Sequence, residues 1–559
     1  MRTIWFALDG RPERPGTEVT IQTPTAADAS DRRRWRLSNT AGTWSVLLFS
    51  FAACVAALRI RQQNATRWFF LDEWSFLAGR DAGSLTGLLD DHNGHWVTVP
   101  VIVYRVIFNL VGLRSYLPYQ GVAIALHLVV ASLVLVLARR AGADPWVASI
   151  AATLFVFFGA GHTNFGWAFQ ITLTGALAFG LAFIWAVDRN GHWSGRDWAA
   201  LVLGVLAMAC SAPGVVMVGG GVLTVWLRRG WRTAAAFAVP LGAVFGAWYL
   251  TFGRGSAQPD PASIGGVLRY AGDMVGNVPV QLSGGTWRGI ALVVLVTVGG
   301  LVAARRQLLE VRGAHASLAG MVAAACGLVA LTSMSRSGAA ELLRPTEGRY
   351  LYLLAALLLP TIAVALSFLP LAWSRGPGRR LAPIMAFVLL VGLPANASSL
   401  GPQGGERFLA GDPRGWAQLA TLAASGDFPD DARPSPFEAP DVTIAWLRER
   451  VRNGDLVPAT SVDPTVRANA TLAMRFRPTE RMSEDCHAVA PGAGFSVDRG
   501  DQVRTDSAFL SLAWLRSGKT RATTTFAGDP TIALVVAHGP MTLEATFPVG
   551  DASQVEICR

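Results

Sequence analysis

Long apolar runs alternate with short polar breaks up to residue 396, and the pattern then changes. The first run covers roughly residues 42–60. Later ones cover roughly 117–138, 146–161, 169–187, 198–212, 213–227, 233–252, 289–304, 316–333, 349–370 and 381–396. A helix needs about 20 apolar residues to cross a bilayer. The runs therefore predict about eleven spanning helices. Residues 97–113, VTVPVIVYRVIFNLVGL, are apolar but short and are interrupted by Pro100 and Arg105. They are expected to form a helix lying in the outer interface; the alternative is a short span with Arg105 buried. Beyond 396, Pro, Asp and Gly become frequent and no run could cross a bilayer. Residues 441–453 carry helical spacing, and Thr531–Ala537 and Met541–Phe547 alternate as strands do.

These patterns predict a polytopic α-helical membrane protein with a C-terminal mixed α/β domain outside the membrane. The expected divisions are a cytoplasmic N-terminal tail (1–40), a transmembrane domain (41–396) whose first outer loop is 61–116, and the outer domain (397–559). Composition agrees. The chain is 52% hydrophobic and only 15% charged, which excludes a disordered chain and argues against one large soluble enzyme. A start that is polar and then basic (Asp31-Arg-Arg-Arg-Trp-Arg36) does not fit a cleavable signal peptide.

Charge fixes an orientation. The net charge of +10 is carried almost wholly by Arg, with Lys519 the single lysine. If 97–113 does not span, Arg139-Arg140, Arg189 with Arg196, Arg228-Arg229 with Arg232, Arg305-Arg306 with Arg312, and Arg375 with Arg379-Arg380 all fall in inner loops. Inner loops are the place for excess Arg, so the basic balance needs no nucleic acid. The N-terminus is then cytoplasmic and residues 397–559 lie outside the plasma or inner membrane. Cys54, Cys210 and Cys326 sit in apolar runs as small hydrophobes. Cys486 and Cys558 lie in the outer domain, where a disulfide can persist.

Chemistry concentrates in the outer loops. Phe70-Leu-Asp72-Glu73-Trp74 sets two adjacent carboxylates among bulky apolar residues, a setting that raises a carboxylate's pKa and suits a general base. Solvated loop residues or a helix cap are the bland reading of the same pair. Asp90-Asp91-His92-Asn93-Gly94-His95-Trp96 follows in the same loop. Its His and Asp side chains could hold a divalent metal (Mg or Mn), though the spacing matches no specific zinc motif and no other cofactor is expected. They could equally hydrogen-bond a polar substrate, with Trp96 stacking on a sugar or anchoring the loop. The loop His162–Gln170 is unusually polar, and Gln170 is its candidate contact. Arg349-Tyr350 closes the last long outer loop, where Arg suits a phosphate; interfacial snorkelling is the bland reading.

In order and topology the chain resembles the integral-membrane glycosyltransferases of the GT-C fold, and within them the protein mannosyltransferase and aminoarabinose transferase branch. The resemblance rests on an inside N-terminus, one span, a long outer loop with the acidic pair Asp72-Glu73, then His95-Trp-Val-Thr-Val-Pro100 running to Phe108-Asn-Leu-Val-Gly112, and a span ending in Leu137-Ala-Arg-Arg-Ala-Gly142. It covers roughly 40–230 by motif and 230–396 by layout. A second acidic residue that such proteins often carry after the third span is missing here, where the chain reads Gln170-Ile-Thr172. The resemblance implies a donor sugar on a polyprenyl phosphate and an acceptor that is a glycan, a lipid or a protein. It implies Asp72 as general base, with Glu73 as its substitute. Asp91, His92, His95, Trp96, Gln170 and Tyr350 would then contact substrate, and Arg349 the lipid phosphate. No P-loop and no GxGxxG fingerprint competes with a lipid-borne donor. Two other classes remain: a transporter or flippase of an envelope glycolipid, with the Ser211-Ala-Pro-Gly214 break as a broken helix, and a non-catalytic envelope-assembly protein.

Overall fold

The computed structural model describes residues 26–80, 84–254, 261–305, 311–340, 343–369, 392–401, 411–479, 483–507, 509–527, 532–547 and 553–559, with side chains from residue 42 onward. The first half is helical: α1 (Ala26–Gln63), α2 (Asp72–Leu77), α3 (Thr86–Leu89), α4 (Thr98–Val111), α5 (Leu117–Arg140), α6 (Pro145–Val156), α7 (His162–Gly166) and α8 (Ile171–Val187). It continues with α9 (Gly195–Met208), α10 (Pro213–Arg229), α11 (Trp231–Phe252), α12 (Ile264–Ser283), α13 (Thr286–Arg305), α14 (Ala316–Arg336) and α15 (Gly348–Ser367). Among the described residues, seven helices are long and apolar enough to cross a membrane. An eighth span arises if α6 and the bent segment 159–166 count as one, with 43° between them. The expected count of eleven is not reached. Helices α9 and α10 have only 14 and 17 residues, and 381–396 falls almost entirely outside the described residues. The chain is an integral membrane protein.

Helix ends show which segments cross. The start of the α1 span lies against the end of α5: a Cβ on Gly42 would sit 3.0 Å from the Arg139 guanidinium. The far ends also meet, with Gln120 Nε2 donating to the Asn64 carbonyl at 3.3 Å. Thus α1 and α5 are antiparallel neighbours joined at one face, and α4 between them does not cross. The Ser211–Gly214 break is a tight turn at that same face, since the Ala209 carbonyl beside it accepts from Val99 N at the start of α4. This face carries the loop 64–116 and is called here the site face. The opposite end of the bundle, the basic face, gathers Arg140, Arg189, Arg228 and Arg229 around Asp188 and Asp197.

Helix α12 has no counterpart among the apolar runs. Arg269, Asp273, Asn277 and Gln281 repeat every fourth position, beside a buried stripe of Tyr270, Met274, Val278 and Leu282. Such a helix is amphipathic, so its average hydropathy does not mark a span. Both its ends bond to the site face. Ala262 N donates to Ser337 Oγ at 3.1 Å beside its start, and Asn396 Nδ2 donates to the Gln281 carbonyl at 3.0 Å.

The C-terminal part combines helices and strands, as expected, in two portions. Helices α16 (Pro413–Ala424), α17 (Ile444–Arg452) and α18 (Pro464–Ala473) precede nine strands among the described residues. Trp416, Leu419, Ile444 and Leu447 share a core with Phe69, Trp74, Val101 and Tyr104 of the first loop, so these helices form a cap with that loop. The strands form two antiparallel sheets around a separate core that includes Phe495, Val503, Leu512 and Leu543. One sheet runs β1 (Phe476–Pro478), β7 (Ile532–Val536), β4 (Gln502–Thr505), β9 (Val555–Cys558), β2 (Cys486–Val489). The other runs β3 (Gly494–Val497), β8 (Met541–Thr546), β5 (Phe509–Arg516), β6 (Lys519–Ala527). Ile532, Leu534 and Val536 alternate inward, as the sequence period requires. Cys486 and Cys558 face each other across β2 and β9 and form a disulfide.

Candidate active site

The acidic pair splits by geometry. Neighbouring residues on a helix diverge by about 100°, so the two carboxylates of α2 point apart. Glu73 is fully buried. It accepts from Tyr104 Oη at 2.5 Å, Tyr116 Oη at 2.9 Å, Trp167 Nε1 at 3.0 Å and Phe70 N at 2.9 Å. These donors come from α4, the start of α5, the α7–α8 connection and the loop itself. One carboxylate thus ties four segments together. Burial pushes its pKa up to about 7, against the four hydrogen bonds that pull it down.

Asp72 faces the other way. Its side chain is 33% exposed, and Oδ1 lies 3.2 Å from His92 Nε2. Leu71, immediately before it, has φ 47° and ψ −118°, a backbone state that costs a β-carbon residue about 1–3 kcal/mol and recurs at functional sites. His92 is placed by a two-residue turn. Asn93 and Gly94 both have positive φ, at 51° and 76°, and His92 and His95 exchange backbone hydrogen bonds of 3.0 Å. This is the Asn-Gly signature of a type I′ turn. The Asp91 carboxylate accepts from Gly94 N at 2.7 Å, and Arg80 donates to the carbonyls of Asp90 and Asp91, both at 2.8 Å. The sequence reading of this stretch looked for ligands and passed over the turn.

His95 sits beside two guanidiniums. Burial first, then the charge of Arg336, lowers its pKa to about 4, with Arg349 a smaller influence. It is therefore neutral at neutral pH. Arg349 pairs with Glu347 (Nε to Oε2, 2.6 Å), lies 5.1 Å from the Tyr350 ring centroid and interacts electrostatically with Asp72. The structure thus gathers Asp72, His92, His95, Arg349 and Tyr350 from three segments distant in sequence. Arg336, in the last turn of α14, belongs with them and was missed. A signal existed: it is an Arg at the site-face end of a predicted span, the end where the expected orientation does not look for basic residues.

The remaining candidates lie within the framework. Trp96 stacks on Trp248 of α11 at 5.3 Å and 7° and donates to Thr98 Oγ1, so that ring face is covered by protein. Gln170 is buried in a single 3-10 turn ahead of α8. Among the described residues no group of three or more His, Cys, Asp or Glu is arranged round a common point, and Asp72 and His92 face each other.

Two cavities adjoin these residues. A polar one of about 500 Å³ is lined by Gly159, His162, Gln281, Thr346, Gly348 and Asn396. An apolar one of about 430 Å³ lies between α12, α14 and α15, lined by Leu268, Val275, Val329, Ser333, Met334 and Leu354. Ser333 and Met334 stand one helical turn from Arg336. Exposed Leu268, Val275 and Met334 mark its open side.

Fold and site together define a polytopic helical membrane protein with a carboxylate, imidazole and guanidinium cluster under a loop-and-helix cap. Two solved structures are similar to it. Arabinofuranosyltransferase AftD from mycobacteria, seen by single-particle cryo-EM, matches 88% of this chain at 16% identity and TM-score 0.45, and the chain spans 40% of its length. ArnT from Cupriavidus metallidurans, crystallised bound to undecaprenyl phosphate, matches 74% of this chain and 89% of its own at 14% identity and TM-score 0.40. No protein-family model and no curated protein matches the sequence. Both likenesses are of layout, so the chemistry of this chain has to come from its own residues.

Proposed function

We propose that the protein is a membrane glycosyltransferase of the GT-C type, moving a hexosyl or pentosyl group from a polyprenyl-phosphate donor to a glycan, lipid or protein acceptor on the outer side of the cell membrane. One observation carries the reading. Asp72 is partly exposed, oriented by His92 and within electrostatic reach of Arg349. Arg336, whose charge is felt at His95, follows Ser333 and Met334 of the apolar cavity by less than one helical turn. That is an acid, a cation and a lipid-compatible groove in one place.

The Asp72 carboxylate accepts the proton of the acceptor hydroxyl as its oxygen bonds to the anomeric carbon. The bond from that carbon to the phosphate oxygen breaks, and the lipid phosphate leaves with the electron pair. Charge develops on that phosphate, where a preplaced guanidinium stabilises it. Arg349 is already engaged by Glu347, whereas Arg336 has no ion pair among the described residues. Arg336 and Arg349 are therefore the two guanidiniums offered to the phosphate, Arg336 the less committed of them. Single displacement inverts the anomeric centre. Glu73, which the sequence offered as a substitute base, serves as the buried tie that fixes Asp72's helix. The gathering of Arg140, Arg189, Arg228 and Arg229 at the opposite end of the bundle supports placing the site outside.

Asp72→Asn tests the reading directly. Sugar transfer from a polyprenyl-phosphate donor is expected to fall at least 100-fold, with the protein still monodisperse and donor lipid still bound. Full transfer in Asp72→Asn would sink it.

A further inference from the structure

At the basic face, α5, α8, α9 and α10 bring five arginines round two fully buried carboxylates. Asp188 is held by Arg228 at 2.7 Å and Arg140 at 3.4 Å, and Asp197 by Arg229 at 2.9 Å and by Arg189. Arg196 has no carboxylate of its own. Its Nη2 donates to the Trp185 carbonyl at 2.6 Å, and its guanidinium lies 4.2 Å from the Trp185 ring centroid. Five guanidiniums against two carboxylates leave the cluster with an excess of positive charge. Buried donors are also left over: Nε of Arg189, Arg196 and Arg229, and Nη2 of Arg229, have no hydrogen-bond partner among the described residues. Asp188 and Asp197 engage four of the guanidiniums, so the uncompensated charge is that of partly buried Arg196, and an anion there would balance it.

The surroundings say which anion. Trp185, Trp193, Trp198, Trp226 and Trp231 are all exposed around this end of the bundle, and such a Trp belt marks the level of lipid headgroups. One turn along α9 from Trp198, which is 62% exposed, Val202 is 59% exposed, giving an apolar ledge below the charges. A free phosphate would neutralise the arginines but leave that ledge unused. We propose that this cluster binds the headgroup of an anionic phospholipid of the adjacent leaflet, its phosphate against Arg196 and an acyl chain along Trp198 and Val202. Basic pockets between helix ends on this side of a membrane take such headgroups. The site lies at the other end of the bundle from Asp72 and does not depend on the transferase reading.

Native mass spectrometry of the whole protein released from nanodiscs of mixed phosphatidylglycerol and phosphatidylcholine reads the site. The wild type is expected to keep phosphatidylglycerol in preference. Arg196→Gln uncovers no carboxylate and is expected to weaken phosphatidylglycerol binding about fivefold, in line with ~1 kcal/mol per basic residue at a membrane surface. Arg452→Gln, on the C-terminal cap, is expected to leave it unchanged. Equal retention of the two lipids, or undiminished retention in Arg196→Gln, overturns the proposal. So does displacement of the lipid by millimolar inorganic phosphate, which would make this a site for a free anion. Should Arg196→Gln misfold, Trp198→Ala with Val202→Ser probes the ledge. Loss of the lipid there supports the assignment, and undiminished retention overturns it.

Discussion

Two adjacent acids in one loop have opposite fates, and the reason is local. Asp72 and Glu73 share a short helix, so only one can face the core. The sequence showed a carboxylate pair against apolar residues, which marks the place but not the division of labour. That division depends on Tyr104, Tyr116 and Trp167, which reach Glu73 from 31, 43 and 94 residues away; no local pattern announces them. The burial of Glu73 has a consequence for stability. Its pKa of about 7 lies above the ordinary 4.5, so the folded protein holds this proton more tightly than the unfolded chain does. The group's contribution is full below pH 4.5 and is lost as the pH rises towards 7. In Glu73→Gln that titration is gone. Thermal unfolding of the variant should depend less on pH across this window than wild type, and at the acid end it should be about 1–3 kcal/mol less stable, because the amide turns two N–H donors towards the four donors where the protonated carboxyl turns one O–H. Parallel pH profiles would show that Glu73 is not the buried acid described.

At the scale of elements, strongly periodic segments were legible and short ones were not. Strands β7 and β8 fall where alternation placed them, and α17 lies within the expected 441–453. Helix α12 was lost because its polar stripe lowers the average that marks a span. The Asn93-Gly94 pair carries the turn in the sequence itself, between two histidines that are also candidate ligands. It makes a sharp prediction. With Gly94 at φ 76°, Gly94→Val forces a β-branched residue into the left-handed region. Transfer activity should drop roughly tenfold or more by loss of the His92 to Asp72 contact, while detergent-phase thermal stability of the bundle changes little; unchanged activity would detach the turn from function. The non-crossing α4 is the other element with a clean test. Single cysteines at Leu85→Cys and Ser425→Cys should react with an impermeant maleimide from the outside of intact cells, and His192→Cys only after permeabilisation. Opposite labelling of positions 85 and 425 would mean that the bundle is threaded differently.

Over the whole molecule, the two halves that the sequence separates by composition share one core at the site. Trp74, two residues from Asp72, packs on Trp416 with ring centroids 4.2 Å apart, and Trp446 stands edge-on to it at 6.2 Å. A Cβ on Gly79 would collide with the Asp441 side chain, and one on Gly112 with Asp455, so the cap touches this loop both after α2 and after α4. Long-range pairing of this kind leaves no periodic trace in either segment. It also means that the cap is part of what fixes Asp72. Trp416 is nearly fully buried and donates to Glu438, whose own pKa burial raises to about 7. Trp416→Ala removes the ring that Trp74 rests on and leaves a large cavity, a change that costs about 3–5 kcal/mol in a packed core. Because that cavity opens behind α2, the loss should appear in kcat for sugar transfer as well as in stability, with donor-lipid binding preserved, since Arg336 and the apolar groove lie on other helices. Hydrogen exchange should rise together in residues 68–78 and 413–424. If exchange rises only in the cap and transfer is unaffected, the C-terminal helices are a passenger on the catalytic loop; if both segments loosen together, the site is built jointly by a loop and a domain more than 300 residues apart.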